Sequence, residues 1–259
     1  MNLGHINLFA SYLNIISALV LAILFYLHRN QIALNTDLYS YEVTGVLNNG
    51  QDVTLTPKKN FSIDTQTIEI LLVAMFCISG FFHLFYYTNG FYTKAYLGDV
   101  RRGYNRFRWL EFSFTSAIMI FILSLLSGNR DINSTILITV LAASTMGIGF
   151  FIEQSKKKED KTIGLVIGFV MLATIFGILY NSLLETSDDY GDSYPDWGVG
   201  VLIGMGVWFL ILAIISVVSV GASGNIDYDF LVYEKLYTFF SFFAKAYMGY
   251  YMTYGILAT

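Results

Sequence analysis

Seven apolar stretches, each about as long as a bilayer core requires of a helix, recur along this chain and leave few architectures open. Hydrocarbon offers no water to backbone N–H and C=O groups, so a spanning segment must pair them within itself, as an α-helix does. The stretches predict helices over about residues 6–28, 67–88, 104–127, 134–152, 163–184, 199–220 and 231–254. The expected fold is an all-α membrane protein, a single seven-helix transmembrane domain covering residues 1–259. Composition agrees: 13% of residues are charged, against about 25% in soluble domains, and mean hydropathy is +0.57. Pro57 and Pro195 fall in predicted loops, which leaves the helices free of proline kinks. The first stretch lacks a preceding basic run and a following small-residue cleavage site, and reads as a retained helix. The lone Cys77 excludes an intrachain disulfide.

The connections carry their own signals. About 38 residues separate the first two predicted helices, too many for an idle loop in a compact bundle. Residues 38–57 are rich in β-branched and aromatic types around Asn49-Gly50, which predicts an antiparallel β-hairpin outside the bilayer, serving as a cap or a dimer contact. Glycines 164 and 168, and 200 and 204, are spaced for close helix packing. Basic residues are unevenly distributed. With the amino terminus in the cytoplasm, inner connections and helix ends hold ten of the fifteen lysines and arginines, and the outer side holds four. Positive charge favours the cytoplasmic face, so this orientation is expected, with the carboxyl terminus, the hairpin and an acidic loop at residues 184–198 outside. The basic loops are expected to meet anionic lipid headgroups.

The fifteenth cation is Lys245, near the middle of the last stretch. An ammonium at that depth costs about 3 kcal/mol on insertion scales, so it needs a water-filled cavity, a carboxylate partner or chemical conversion. A desolvated lysine readily becomes a nucleophile towards an aldehyde. Glu111, in the third stretch, is the carboxylate placed well inside another span, although Arg108 one turn earlier offers it an interfacial partner. Seven helices, a lysine halfway along the last and a carboxylate in the third describe a site for retinal. The protonated Schiff base such a site forms needs a nearby anion, and aromatic and Met side chains suit a polyene.

The residues resemble one family in particular, the heliorhodopsins. Arg108-Trp109-Leu110-Glu111-Phe112-Ser113 is similar to that family's motif, and Ser241-Phe242-Phe243-Ala244-Lys245 resembles its Ser-xxx-Lys pattern. Ordinary microbial rhodopsins carry an aspartate where Ser241 stands. The long outer loop and the inverted charge bias match as well. The resemblance spans the whole chain and implies a rhodopsin-like bundle. It also implies all-trans retinal on Lys245, Glu111 as counterion, and Ser241 and Ser116 as polar groups nearby. Met146, Trp208 and Phe209 become pocket walls, although an aromatic stripe on a membrane helix ordinarily serves packing. His83 matches a histidine of a polar cluster on the cytoplasmic side, and Asn14 stands for a companion histidine of the first helix. A homodimer follows from the resemblance, as does an unidentified signalling partner.

The expected function is a slow-cycling light sensor. Two alternatives stand beside it: a light-driven proton transporter or channel, and a non-retinal small-molecule transporter with a buried Lys245–Glu111 pair. Glu153 and Glu185, at helix ends, read as interfacial caps that are also able to gate protons. The chain carries no nucleotide-binding loop, metal-ligand constellation or hydrolytic triad, so no enzyme activity, metal or nucleic-acid partner is expected.

Overall fold

The computed structural model describes residues 3–28, 35–46, 53–88, 90–190, 196–222 and 229–258. In chain order these form α1 (Leu3–His28), β1 (Asn35–Val46), β2 (Val53–Asp64), α2 (Thr65–Thr88), α3 (Gly90–Arg101), α4 (Arg106–Leu126), α5 (Ile132–Gln154), α6 (Lys158–Tyr190), α7 (Asp196–Ala222) and α8 (Phe230–Ala258). The seven long helices are those the apolar stretches predict. Among the described residues, six are long and apolar enough to cross a bilayer. The seventh, α8, has 29 residues, but its tyrosines together with Glu234, Lys235 and Lys245 lower its apolarity.

Short polar side chains start several of these helices by accepting the first-turn N–H groups. Asp64 Oδ1 accepts from Thr67 N at 2.9 Å, Asn105 caps α4 and Asp131 caps α5. Helix α4 stops where Gly128 adopts φ +79, a conformation that favours glycine, and its N–H returns to Leu125 O at 3.2 Å.

Three expectations need correction. Residues 90–101 form helix α3 where a loop was expected. Their tyrosines and charges give no spanning signal, yet Tyr96 and Val100 pack on Leu3, Tyr86 and Phe230, and buried Asp99 holds Arg102 and Arg106. Pro57 lies within β2, opposite Tyr41, and not in a loop. A two-stranded sheet has only edge strands, so the missing N–H is tolerated. Helix α6 runs five or six residues beyond its apolar stretch at each end, because helix propagates into polar sequence once nucleated.

The hairpin is antiparallel, Val46 pairing Val53 and Asn35 pairing Asp64, and is longer than the segment 38–57. Its expected Asn49-Gly50 turn lies outside the described residues, as does Pro195. Buried Leu38 and Ile63 fix the hairpin to the bundle, and Tyr39 N donates to Arg130 O at 2.9 Å in the α4–α5 turn.

In lipid, apolar burial does not by itself drive helices together, so close packing and interhelical hydrogen bonds carry the association. Helix α4 is the central element, with 61% of its apolar window buried against 17% for α6. The glycines permit the approach. A Cβ at Gly204 would collide with Tyr247 of α8, and one at Gly164 would meet Ile152 of α5 at 2.6 Å. The small-residue faces predicted from spacing are thus used between helices of the same chain. Cys77 faces outward.

Candidate functional site

The most enclosed helix carries Glu111, and α8 places Lys245 opposite it. Lys245 Nζ donates to Glu111 Oε1 at 3.0 Å and to Ser241 Oγ, one turn earlier on α8, at 2.5 Å. Both members of the pair are almost completely buried, at 3% and 1% exposure. A buried pair of this kind needs further hydrogen bonds to offset its desolvation. Ser79 of α2 supplies one, donating to Glu111 Oε1 at 2.5 Å. Glu111 Oε2 is buried with no hydrogen-bond partner among the described residues. The sequence reading missed Ser79, since one serine in an apolar stretch carries no signal until the fold places it.

The Lys245 ammonium lies 5.3 Å from the Phe112 ring centre. Phe112, Ser116, Met119, Met146, Phe209 and Leu212 line a small cavity beside it, with Thr115, Ser241 and Ala244. Met146, Phe209 and Ser116, singled out from the sequence, are among the residues that line this cavity. Trp208 does not line this cavity. It stacks on Phe243 at 6.4 Å and meets Phe240 at 6.3 Å. Adjacent helical residues point about 100° apart, and here Phe209 takes the side towards the cavity while Trp208 takes the side towards Phe240 and Phe243. The free space beside Nζ is ≈ 30 Å³. Met119 and Met146 are flexible wall members, able to yield to a longer apolar group by changing rotamer.

Retinal is the group the residues imply, and the donor set fits it: an enclosed amine, a buried carboxylate with one unpartnered oxygen, and apolar aromatic and methionine walls.

A second polar cluster lies towards the basic end of the bundle. Buried Arg108 is clamped between Glu153 of α5 and Glu234 of α8. Glu111 is therefore not its partner. Asn105 donates to Glu234 Oε1 at 2.6 Å, and Trp109 Nε1 donates to Glu153 Oε2 at 2.8 Å. Glu153 is a half-buried member of this cluster, bonded to Arg108, Trp109 and Asn105, and not an interfacial cap. Glu185 is exposed and accepts from Asn181 at 2.8 Å.

His83 belongs to this end. Its Nδ1 lies 2.9 Å from Asn7 Oδ1, Asn7 Nδ2 donates to Tyr96 OH at 3.0 Å, and Tyr96 OH reaches Glu234 Oε1 at 3.4 Å. The α1 partner of His83 is thus Asn7 and not Asn14. Seven residues are about two turns, so both share a face but sit some 10 Å apart along the axis. Asn14 bonds back to Ala10 O at 2.8 Å, and its Oδ1 has no partner. Ser17, beside it, accepts from Tyr250 OH of α8 at 3.0 Å.

The family profile described as Heliorhodopsin matches residues 3–257. Among solved structures, the crystal structure of thermophilic rhodopsin superposes with a TM-score of 0.64 at 12% identity, over 98% of this chain and 94% of that one. At that identity the likeness speaks for the fold. A search of curated proteins finds no match.

Proposed function

The chain belongs to the heliorhodopsin family, retinal light-sensing proteins of the membrane, and from that premise we propose that all-trans retinal is held on Lys245 as a protonated Schiff base. The observation that carries the proposal is the buried Lys245–Glu111 pair at 3.0 Å, opening on an apolar wall. When bound, retinal supplies visible absorption and a light-driven isomerisation. Glu111 holds a negative charge beside Nζ and keeps a proton there, which makes it the counterion. Ser79 fixes the carboxylate, and Ser241 gives the Nζ proton a second acceptor. Phe112, Met146 and Phe209 exclude water and orient an apolar ligand.

The proposed output is a slow light-sensory cycle passed to a signalling partner, from a homodimer whose amino terminus is cytoplasmic. The basic connections at Lys94–Arg106 and Lys156–Lys161 support that orientation. One observation favours a second reading, light-driven proton movement: titratable His83 and Glu234 lie in one hydrogen-bonded cluster at the basic end, with Asn7 and Tyr96 between them, and either is able to hold a released proton. Photocurrent in a voltage-clamped cell separates the two, since a sustained or pump-like current contradicts a pure sensor.

The deciding experiment is a visible spectrum of purified protein expressed with all-trans retinal, before and after hydroxylamine in light, beside Lys245→Ala. A band that bleaches, and that the variant lacks, is expected. Its absence from folded protein would instead favour a transporter built on the bare ion pair.

A further inference from the structure

Three spaces lie in series between the basic end of the bundle and Lys245. The outermost is a cleft of ≈ 850 Å³ with Arg101, Arg102, Lys156 and Lys161 among its walls. It has Trp109, Gly149, Ile152, Ser216 and Tyr237 in common with a smaller, partly open cavity of ≈ 80 Å³ lined from α4, α5, α6, α7 and α8. That cavity in turn shares Phe112, Met146, Phe209 and Leu212 with the space beside Lys245. The cleft has about ten times the volume of the cavity, and Trp109 and Tyr237, which border both, have ring centres 5.8 Å apart at 66°.

Each ring is fastened by a polar bond of its own. Trp109 Nε1 donates to Glu153 Oε2 at 2.8 Å, and its indole fills the space a Cβ at Gly149 would take. Tyr237 OH pairs with Ser216 Oγ at 2.6 Å, and the Arg108 guanidinium lies 4.1 Å from the centre of its ring. Arg108 is itself clamped by Glu153 and Glu234, so one buried cluster braces both rings. Each bond satisfies a buried polar tip and at the same time fixes the orientation of its ring. Two fixed rings on the shared border of a polar cleft and an apolar cavity are placed to separate them.

We propose that Trp109 and Tyr237 form an aromatic plug that controls the access of water and small polar solutes from the basic-end cleft to Lys245. Glu153, Arg108 and Ser216 are its positioning residues. Lys245 is thereby shielded on this side by two hydrogen-bonded rings and not by the depth of the membrane. The proposal rests on the Lys245 cavity being the functional site, but does not need retinal to be tested.

The test uses retinal-free protein in nanodiscs, with Met146→Cys as a reporter in a Cys77→Ser background. The rate of modification by a small cationic methanethiosulfonate is read by intact mass, with Lys156→Cys as the exposed reference. With the plug intact, the reporter reacts far more slowly than the reference. Trp109→Phe keeps a ring but loses the bond to Glu153. Tyr237→Phe and Ser216→Ala each remove the second tip bond. Each change is expected to speed the reporter about tenfold, the weight of one buried hydrogen bond. The reference rate stays unchanged. The conservative variants guard against misfolding, which size-exclusion and circular dichroism check. Unchanged reporter rates in folded variants would overturn the plug, as would a parent reporter as reactive as the reference. Either result leaves the retinal spectrum of Lys245 untouched.

Discussion

Removing the charge of Glu111 tests the energetic centre of the site. In Glu111→Gln the Lys245 ammonium keeps Ser241 but loses its only carboxylate within salt-bridge distance, at 3.0 Å, among the described residues. With an effective dielectric of about 20, the Coulomb energy of that pair is about 5.5 kcal/mol. Stranding one member of a buried pair costs about 3–5 kcal/mol in practice. Ser79 adds to the loss, since its hydroxyl bonds the same Oε1 and a charged acceptor is worth about 1.5–3 kcal/mol. Glu111→Gln and Lys245→Met are therefore each expected to destabilise retinal-free protein by about 3–5 kcal/mol. The double variant, which removes both charges, is expected to lose far less than the sum. Reversible unfolding in mixed micelles measures the cycle. Losses that add to within about 0.5 kcal/mol would show that the two groups do not interact, and would refute the reasoning.

Other expectations follow from particular contacts. Asn7→Ala leaves His83 Nδ1 without its Asn7 bond and takes one bond from Tyr96, which keeps Glu234, and is expected to cost about 1–3 kcal/mol, whereas Asn14→Ala, whose Oδ1 already lacks a partner among the described residues, is expected to be near neutral. Equal losses in the same unfolding assay would restore Asn14 to the cluster. Gly204→Val drives a branched side chain into Tyr247, and its overpacking cost of about 1–3 kcal/mol would read as a lower melting temperature. No change there would mean that α7 and α8 are not in close contact. In the hairpin, a hydrogen bond from Lys59, then one from Ser62, holds the Asp37 carboxyl below its ordinary value of 3.8. A depressed carboxylate stabilises the fold above its unfolded value and loses that contribution as pH falls through the folded one. Carbon-detected titration is expected to place Asp37 lower than in Lys59→Gln, and coincident curves would remove the contact.

The division between sequence and fold follows the range of the forces involved. Long apolar stretches determine the spans because the demand for internal backbone pairing in lipid is local to each one. Lys245 and Glu111 were legible for a related reason, and Ser241 through the resemblance to the family's Ser-xxx-Lys pattern. A charge deep in such a stretch is too costly to be incidental, and one turn on a helix brings Ser241 to Lys245 without help from elsewhere. Helix α3 was not legible, since it is held by Tyr96, Val100 and Asp99 against other elements and not by apolarity of its own. Which face of a helix meets which neighbour was equally hidden. That relation chose Phe209 over Trp208 at the Lys245 cavity, Asn7 over Asn14 beside His83, and Glu153 with Glu234 over Glu111 as the partners of Arg108. Sequence alone therefore determined the spans and the buried charge pair, because each has a local cost that spacing reveals. Only the tertiary structure decided what surrounds them, because a hydrogen bond between residues 32 or 126 positions apart depends on helix rotation and packing that spacing does not encode.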